Sequence, residues 1–193
     1  MSPEIAVAVV WALWVASWIA AALWRDPAAR RPTFRQEAPY RIATVLGALL
    51  LFVGSGHLFA NQYRHWDLGS AAQWVLVVLA VAGLLFTWWA RLHLGRLWSS
   101  SVTKKADHHI VDTGPYTIVR HPIYTGILAA IYATAAMKGA PVSLLGAIVM
   151  TYGFRTKARL EERFLREQLG EEAYDSYRRR VPMLIPFGPK SGS

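Results

Sequence analysis

Residues 68–90 read LGSAAQWVLVVLAVAGLLFTWWA, a run of 23 positions without a charge. An α-helix rises 1.5 Å per residue, so about 20 such residues cross a hydrocarbon core roughly 30 Å thick. This stretch therefore reads as a transmembrane helix, and it is not alone. Uncharged runs also cover Ile5 to Trp24, Ile42 to Tyr63, His121 to Met137 and Gly139 to Phe154, with 20, 22, 17 and 16 residues. The chain is 54% hydrophobic and holds nine tryptophans in 193 residues, too apolar for a soluble domain of this size. Lys138-Gly139-Ala140-Pro141 leaves almost no loop between the two shortest runs, which read as a helical hairpin. The expected fold is all-α: an integral membrane bundle of five transmembrane helices in a single domain, residues 1–193. Residues 1–90 supply three of them, and residues 91–193 supply the hairpin, a cytoplasmic connector and C-terminal helices.

The formal charge of +9 arises from 21 Lys and Arg against 12 Asp and Glu. Five basic residues lie between Arg25 and Arg41, five between Arg91 and Arg120, and nine from Arg155 onward; only Arg64 and Lys138 fall in the alternate loops. That asymmetry places the N-terminus outside and the basic loops and tail in the cytoplasm. It explains the charge as topology, with attraction to anionic headgroups as a second effect, and argues against nucleic acid as a partner. The first run carries Glu4 and is followed by Arg25-Asp26-Pro27 rather than a small-residue cleavage site, so it reads as a retained helix. The chain has no cysteine, which removes disulfides and thiolate nucleophiles from consideration, and no metal-ligand cluster stands out.

Trp11, Trp14 and Trp18 recur at helical spacing, as packing or lipid-facing residues do. Trp24, Trp66, Trp88, Trp89 and Trp98 lie near predicted helix ends, where interfacial anchors belong. Gly47, Gly54 and Gly56 would let helices approach closely. His57 is ionisable within an apolar run, and reads as a histidine bonded to a neighbouring helix before it reads as a site. The connector from Arg91 to Arg120 is polar yet keeps Ile110, Val111, Tyr116, Ile118 and Val119, so it is expected to fold over the cytoplasmic mouth. Beyond Phe154 the last apolar helix continues as RTKARLEERFLREQLG, with Leu160, Phe164, Leu165 and Leu169 on one stripe and Gly170 as a stop. A further short helix runs from Glu171 to about Arg180 and ends before Pro182.

The chemistry concentrates in residues 114–126, GPYTIVRHPIYTG. Gly114-Pro115 makes a turn, and Pro122 suits the first position of a helix because its missing N–H has no partner there. Arg120 and His121 then sit just outside a helix N-terminus, which already carries partial positive charge. Two basic groups there call for an anion, or else Arg120 snorkels to lipid phosphates. Glu161 and Glu162 on the tail helix are within reach if that helix folds back. Glu162 has ordinary salt-bridge spacing to Arg159 and Arg166, and Glu161, one residue round the helix, is less completely explained by those pairs. An Arg/His pair, a carboxylate and several aromatics suit a ligand with an amino-acid carboxylate, ribose hydroxyls, a flat base and a cation. S-adenosyl-L-methionine is one such ligand and a nucleotide is another.

From Arg91 to Pro186 the chain resembles the isoprenylcysteine carboxyl methyltransferase family of integral membrane enzymes, particularly its bacterial branch. The resemblance rests on an ordered set: His108, Gly114, Tyr116, Arg120-His121-Pro122, Tyr124, Gly126, Glu161-Glu162, Leu165, Gly170, Tyr174, Tyr177, Val181-Pro182 and Ile185-Pro186. It implies a methyltransferase of the bacterial inner membrane that binds S-adenosyl-L-methionine, releases S-adenosyl-L-homocysteine and receives a lipophilic acceptor laterally from the bilayer. Carried over position by position, the cofactor site would comprise His108, His109, Ile110, Val111, Gly114, Tyr116, Arg120, His121, Pro122, Ile123, Tyr124, Glu161 and Glu162. A basic residue one turn before Glu161 would orient the acceptor. Lys157 stands there instead of an arginine, and Arg155 or Arg159 are the alternatives.

A carboxylate acceptor, as in isoprenylcysteine, is already ionised near neutral pH and needs no general base. An amine would need one, for which His57 or His108 would serve. A phospholipid amine or a small molecule methylated on nitrogen or sulfur is the alternative acceptor. Two other readings compete. Sterol reductases resemble this family in their C-terminal helices and use NADPH, but carry an acid after the motif glycine, where Ile127 stands here. A non-catalytic membrane protein would use Arg120 and the tail only to hold headgroups.

Overall fold

The structure, a computed structural model, describes residues 1–22, 32–53, 66–95 and 110–190. Six α-helices follow in order: α1 (Pro3–Ala22), α2 (Phe34–Phe52), α3 (Ser70–Leu94), α4 (Pro122–Lys138), α5 (Pro141–Leu169) and α6 (Glu171–Arg180). A 3-10 turn, Gly114–Thr117, precedes α4. Among the described residues there is no strand, so the all-α expectation holds. Two helices, Pro3–Ala21 and Ser70–Leu94, are long and apolar enough to cross a membrane. The other three helices expected to span differ for visible reasons: α2 opens on Arg35, Glu37 and Arg41, α4 has 17 residues, and the second half of α5 is charged.

The second apolar run predicts a helix from Ile42, but the helix begins at Phe34. Its polar lead-in is helical because the Thr33 N–H donates to Gln36 Oε1 (2.9 Å) and Arg41 bonds Glu37 one turn back (2.6 Å). The rest of that run, with Gly54, Gly56 and His57, lies outside the described residues.

Packing is set by glycine. Each helix of the α4–α5 hairpin finds its main partner elsewhere, α4 on α3 and α5 on α2, and the two touch each other less. At the α2–α5 crossing, a Cβ on Gly47 would stand 2.7 Å from the Gly146 carbonyl oxygen, and one on Gly146 would stand 2.7 Å from that of Gly47. Gly83 and Gly126 face each other's carbonyls in the same way where α3 crosses α4. Such backbone contact is how helices associate where lipid removes the hydrophobic drive. Between α4 and α5 the chain reverses in two residues, Gly139 taking the left-handed conformation (φ 65°) and Pro141 starting the next helix.

The tryptophans of α1 pack: Trp18 stacks on Trp14 and meets Trp88 edge-on, and Trp11 and Trp14 each use a polar handle. Trp11 Nε1 donates to Thr134 Oγ1 (3.0 Å) on α4 and Trp14 Nε1 to Thr87 Oγ1 (2.8 Å) on α3. Both threonine hydroxyls donate in turn to carbonyls of their own helices, so no buried hydroxyl is left unpaired there. Trp66 Nε1 closes the far end of α4 on the Ala136 carbonyl (2.9 Å). The outward faces stay apolar: Leu13, Ile19, Val45, Leu49, Val78, Leu85 and Ile148 are exposed, as side chains in contact with lipid are.

At 1.5 Å per residue α5 is about 43 Å long, more than a bilayer core requires. Its charged last turns, the part of α5 that projects past the apolar run of residues 139–154, continue the helix as the tail sequence predicts. Gly170, at φ 92°, then breaks the chain into α6.

Candidate active site

The site forms where the projecting part of α5 passes the N-terminus of α4. Gly114 enters its turn at φ 55°, where a Cβ would press on the His93 ring, so glycine is required on two counts. The turn delivers Tyr116, whose ring stacks near His93 and whose carbonyl accepts from the Tyr177 hydroxyl (2.8 Å). Residues 181–184 cross the start of α4 alongside. Arg120 N–H donates to Pro182 O (2.9 Å), His121 N–H to Met183 O (3.1 Å) and Thr125 Oγ1 to Leu184 O (2.6 Å).

Arg120 is buried and turned toward the tail. Its Nε donates to Glu162 Oε1 (2.8 Å), and one terminal nitrogen donates to the carbonyls of Arg178 and Val181. Arg178 reaches the other Glu162 oxygen at 3.3 Å. The anion that the pair Arg120-His121 demands is thus supplied from within the chain. Headgroup snorkelling by Arg120 is excluded by the same contacts, because its side chain is fully enclosed.

His121 lies between the two glutamates. Nε2 is 3.1 Å from Glu162 Oε1, and Nδ1 is 3.5 Å from Glu161 Oε2. Burial alone would lower the histidine's pKa, but the two carboxylates outweigh it and hold the imidazole above its ordinary value. Burial would likewise raise both glutamates. His121 overrides it in each case, with Lys157 and Tyr124 acting on Glu161 and Arg120 on Glu162, and both stay below the usual carboxylate range.

On the Glu161 side the surroundings are aromatic. The Tyr124 hydroxyl donates to Glu161 Oε1 (2.5 Å), and its ring lies parallel to His121 at 5.5 Å and tilted against Phe154 at 5.2 Å. The Lys157 ammonium stands over the Tyr124 ring at 5.2 Å and over the Tyr40 ring of α2 at 5.8 Å. Tyr40 is buried and donates to the buried Glu37 (2.8 Å).

Of the sequence-predicted residues, the structure brings together Tyr116, Arg120, His121, Pro122, Tyr124, Glu161, Glu162 and Lys157. Ile123 packs on the adjoining core, and Ile110 lies against the Tyr174, Tyr177 and Val181 cluster beside half-buried Val111. Arg155 and Arg159 are exposed, two positions from Lys157 and so about 200° round α5; they do not join the group. His108 and His109 lie outside the described residues. Sequence reasoning missed Glu37, Tyr40 and Arg178. An acid and a tyrosine at i, i+3 were visible, but nothing showed that the helix begins before the apolar run.

The model of the isoprenylcysteine carboxyl methyltransferase family matches residues 75–167, from the second turn of α3 to the last turn of α5. Protein-S-isoprenylcysteine O-methyltransferase B of Arabidopsis thaliana is 26% identical over 151 residues, covering 77% of this chain and 74% of the relative. A methanethiol S-methyltransferase of a Pseudomonas species is 45% identical over 171 residues, with 80% of this chain and 61% of the relative covered. The cobalt-zinc-cadmium resistance protein CzcN of Cupriavidus metallidurans is 30% identical over 140 residues, 72% of this chain and 60% of the relative. The chain thus spans about three fifths of the length of the latter two.

Proposed function

Because the chain belongs to the isoprenylcysteine carboxyl methyltransferase family, we propose that it is an integral membrane methyltransferase using S-adenosyl-L-methionine. All five of α1 to α5 cross the bilayer in this reading, with the N-terminus outside and the site at the cytoplasmic face of a bacterial inner membrane. The observation that supports it is the convergence of His121, Tyr124, Glu161 and Lys157 where the projecting part of α5 meets the start of α4.

The residues suit the group. Glu161, half-buried and ionised, offers an acceptor to hydroxyls and a counter-charge to a cation, and Tyr124 with His121 offers a stacked aromatic wall. Ile110, Val111, Tyr116 and Ile123 complete the cofactor side in this reading. Arg120 and Glu162 act from behind, fixing the loop to the tail. When bound, S-adenosyl-L-methionine supplies a methyl group on a sulfonium.

The acceptor is a lipophile that reacts through an anionic atom, held by the Lys157 ammonium. An acceptor already ionised requires no base, so alignment and exclusion of water suffice. A carboxylate, as in the isoprenylcysteine enzymes, is the first reading. A thiolate is the second, favoured by a point charge where a bidentate guanidinium would grip a carboxylate, and by the 45% identical relative named for methanethiol.

Purified protein in nanodiscs should bind S-adenosyl-L-methionine saturably and transfer labelled methyl to a lipophilic acceptor. Label lost in mild alkali identifies an ester, and label stable to alkali a methyl on sulfur or nitrogen. Binding of NADPH in place of S-adenosyl-L-methionine would instead make the chain a reductase.

A further inference from the structure

Helix α2 lies wholly outside the matched residues 75–167, yet it reaches the site. Its register against α5 is tightly fixed. A Cβ on Gly153 would meet Thr44 Oγ1 at 2.8 Å and the Tyr40 carbonyl at 3.2 Å, so the backbones touch one turn before Lys157. That contact brings the Tyr40 ring to 5.8 Å from the Lys157 ammonium, across from Tyr124 at 5.2 Å. The tyrosine cannot swing away, because its hydroxyl is tied to Glu37 at 2.8 Å and its ring is packed by Leu160 and Phe164. Glu37 is itself held by Arg41 at 2.6 Å.

We infer that Tyr40, braced by Glu37, is a positioning residue for the acceptor: its ring and that of Tyr124 confine the Lys157 ammonium, which meets the anionic atom of the lipophile. The inference rests on the proposed methyltransferase reading. It adds that the acceptor side is built partly by a helix outside the family match. Two aromatic faces hold a cation without neutralising it; Glu161 already lies in the field of this ammonium, and a second carboxylate, in the Tyr40 position, would cancel what it offers the acceptor. The pair also makes the acceptor pocket dependent on how α2 seats against α5.

The test measures binding of decanoate, a lipophilic carboxylate, to nanodisc protein with and without S-adenosyl-L-homocysteine. Wild type should bind decanoate saturably. Tyr40→Leu should weaken that binding about five- to tenfold while leaving the affinity for S-adenosyl-L-homocysteine within about twofold. Tyr40→Phe keeps the ring but loses the tie to Glu37, and should bind decanoate more weakly than wild type and more tightly than Tyr40→Leu. Trifluorinated phenylalanine at the same position keeps the shape but withdraws the ring electrons, and should weaken decanoate as leucine does. This last variant decides the matter if Tyr40→Leu fails to fold. Equal decanoate binding by the phenylalanine and trifluorophenylalanine proteins would overturn the inference, as would parallel losses for both ligands or no saturable binding in wild type. Decanoate binding that follows this pattern without any binding of S-adenosyl-L-homocysteine would sustain the positioning role and overturn the methyltransferase reading instead.

Discussion

Glu161 and Glu162 are sequence neighbours that flank one histidine, yet they face different surroundings. Glu162 looks toward the tail, where Arg120, Arg178 and His121 surround its carboxylate. Glu161 looks toward the bundle, where a tyrosine hydroxyl, an imidazole and an ammonium lie around a more open carboxylate. The first side is a closed ion pair inside folded protein; the second keeps a partly exposed carboxylate beside the Tyr124, His121 and Phe154 rings. Two adjacent carboxylates on a helix differ by about 100°, and that angle is enough to separate an enclosed ion pair from a partly open carboxylate.

The comparison breaks first if the lock proves dispensable. Arg120→Ala leaves Glu162 buried without its main partner and should cost about 3–5 kcal/mol, seen as a large fall in the melting temperature of the purified protein. Gly126→Ala should strike both sides together. Its new methyl meets the Gly83 carbonyl and Thr87 Cγ2, shifts α4 as a body, and should cost about 1–3 kcal/mol while weakening S-adenosyl-L-methionine binding in the same variant. The open side is sharpened by Tyr124→Phe, which keeps the ring against His121 and removes the donor to Glu161. Methyl transfer should fall about fivefold, with the melting temperature within about 2 °C of wild type.

The smallest effect lies in pH. His121 is held above its ordinary value, so its stabilisation is complete below the unfolded value of 6.5 and disappears as pH rises through the folded one. The glutamates are held low, so theirs is present above 4.5 and is lost as pH falls through their folded values. Comparing melting temperatures of wild type and His121→Gln between about pH 5 and pH 9 should show a gap that narrows toward the alkaline end.

Much of this was legible in the sequence. Uncharged runs located the helices, the continuing stripe of Leu160 to Leu169 located the projecting part of α5, and Gly114, Pro122 and Gly170 marked its breaks. GPYTIVRHPIYTG announced the site because basic residues at a helix start demand an anion. The sequence did not say that the anion is Glu162, since ordinary i, i+3 and i, i+4 spacing on one helix concealed a contact 42 residues away. Nor did it point to Tyr40. Periodicity marks where lipid-facing residues begin, and the capped polar turns of α2 precede that point. Gly126 was quoted for the motif it belongs to, and its physical reason, a backbone crossing with Gly83, appears only in three dimensions.

The central claim is that the Glu161 side binds S-adenosyl-L-methionine while the Glu162 side holds the fold. Calorimetric titration of S-adenosyl-L-methionine into wild type, Glu161→Gln and Glu162→Gln, each with its melting temperature, tests it directly. Glu161→Gln should weaken binding about tenfold or more with little change in melting, a loss expected when a charge-assisted hydrogen bond becomes a neutral one. Glu162→Gln should lower the melting temperature markedly and, in the protein that remains folded, bind within about threefold of wild type. Equal losses of affinity in both variants, or undiminished binding by Glu161→Gln, would contradict the assignment.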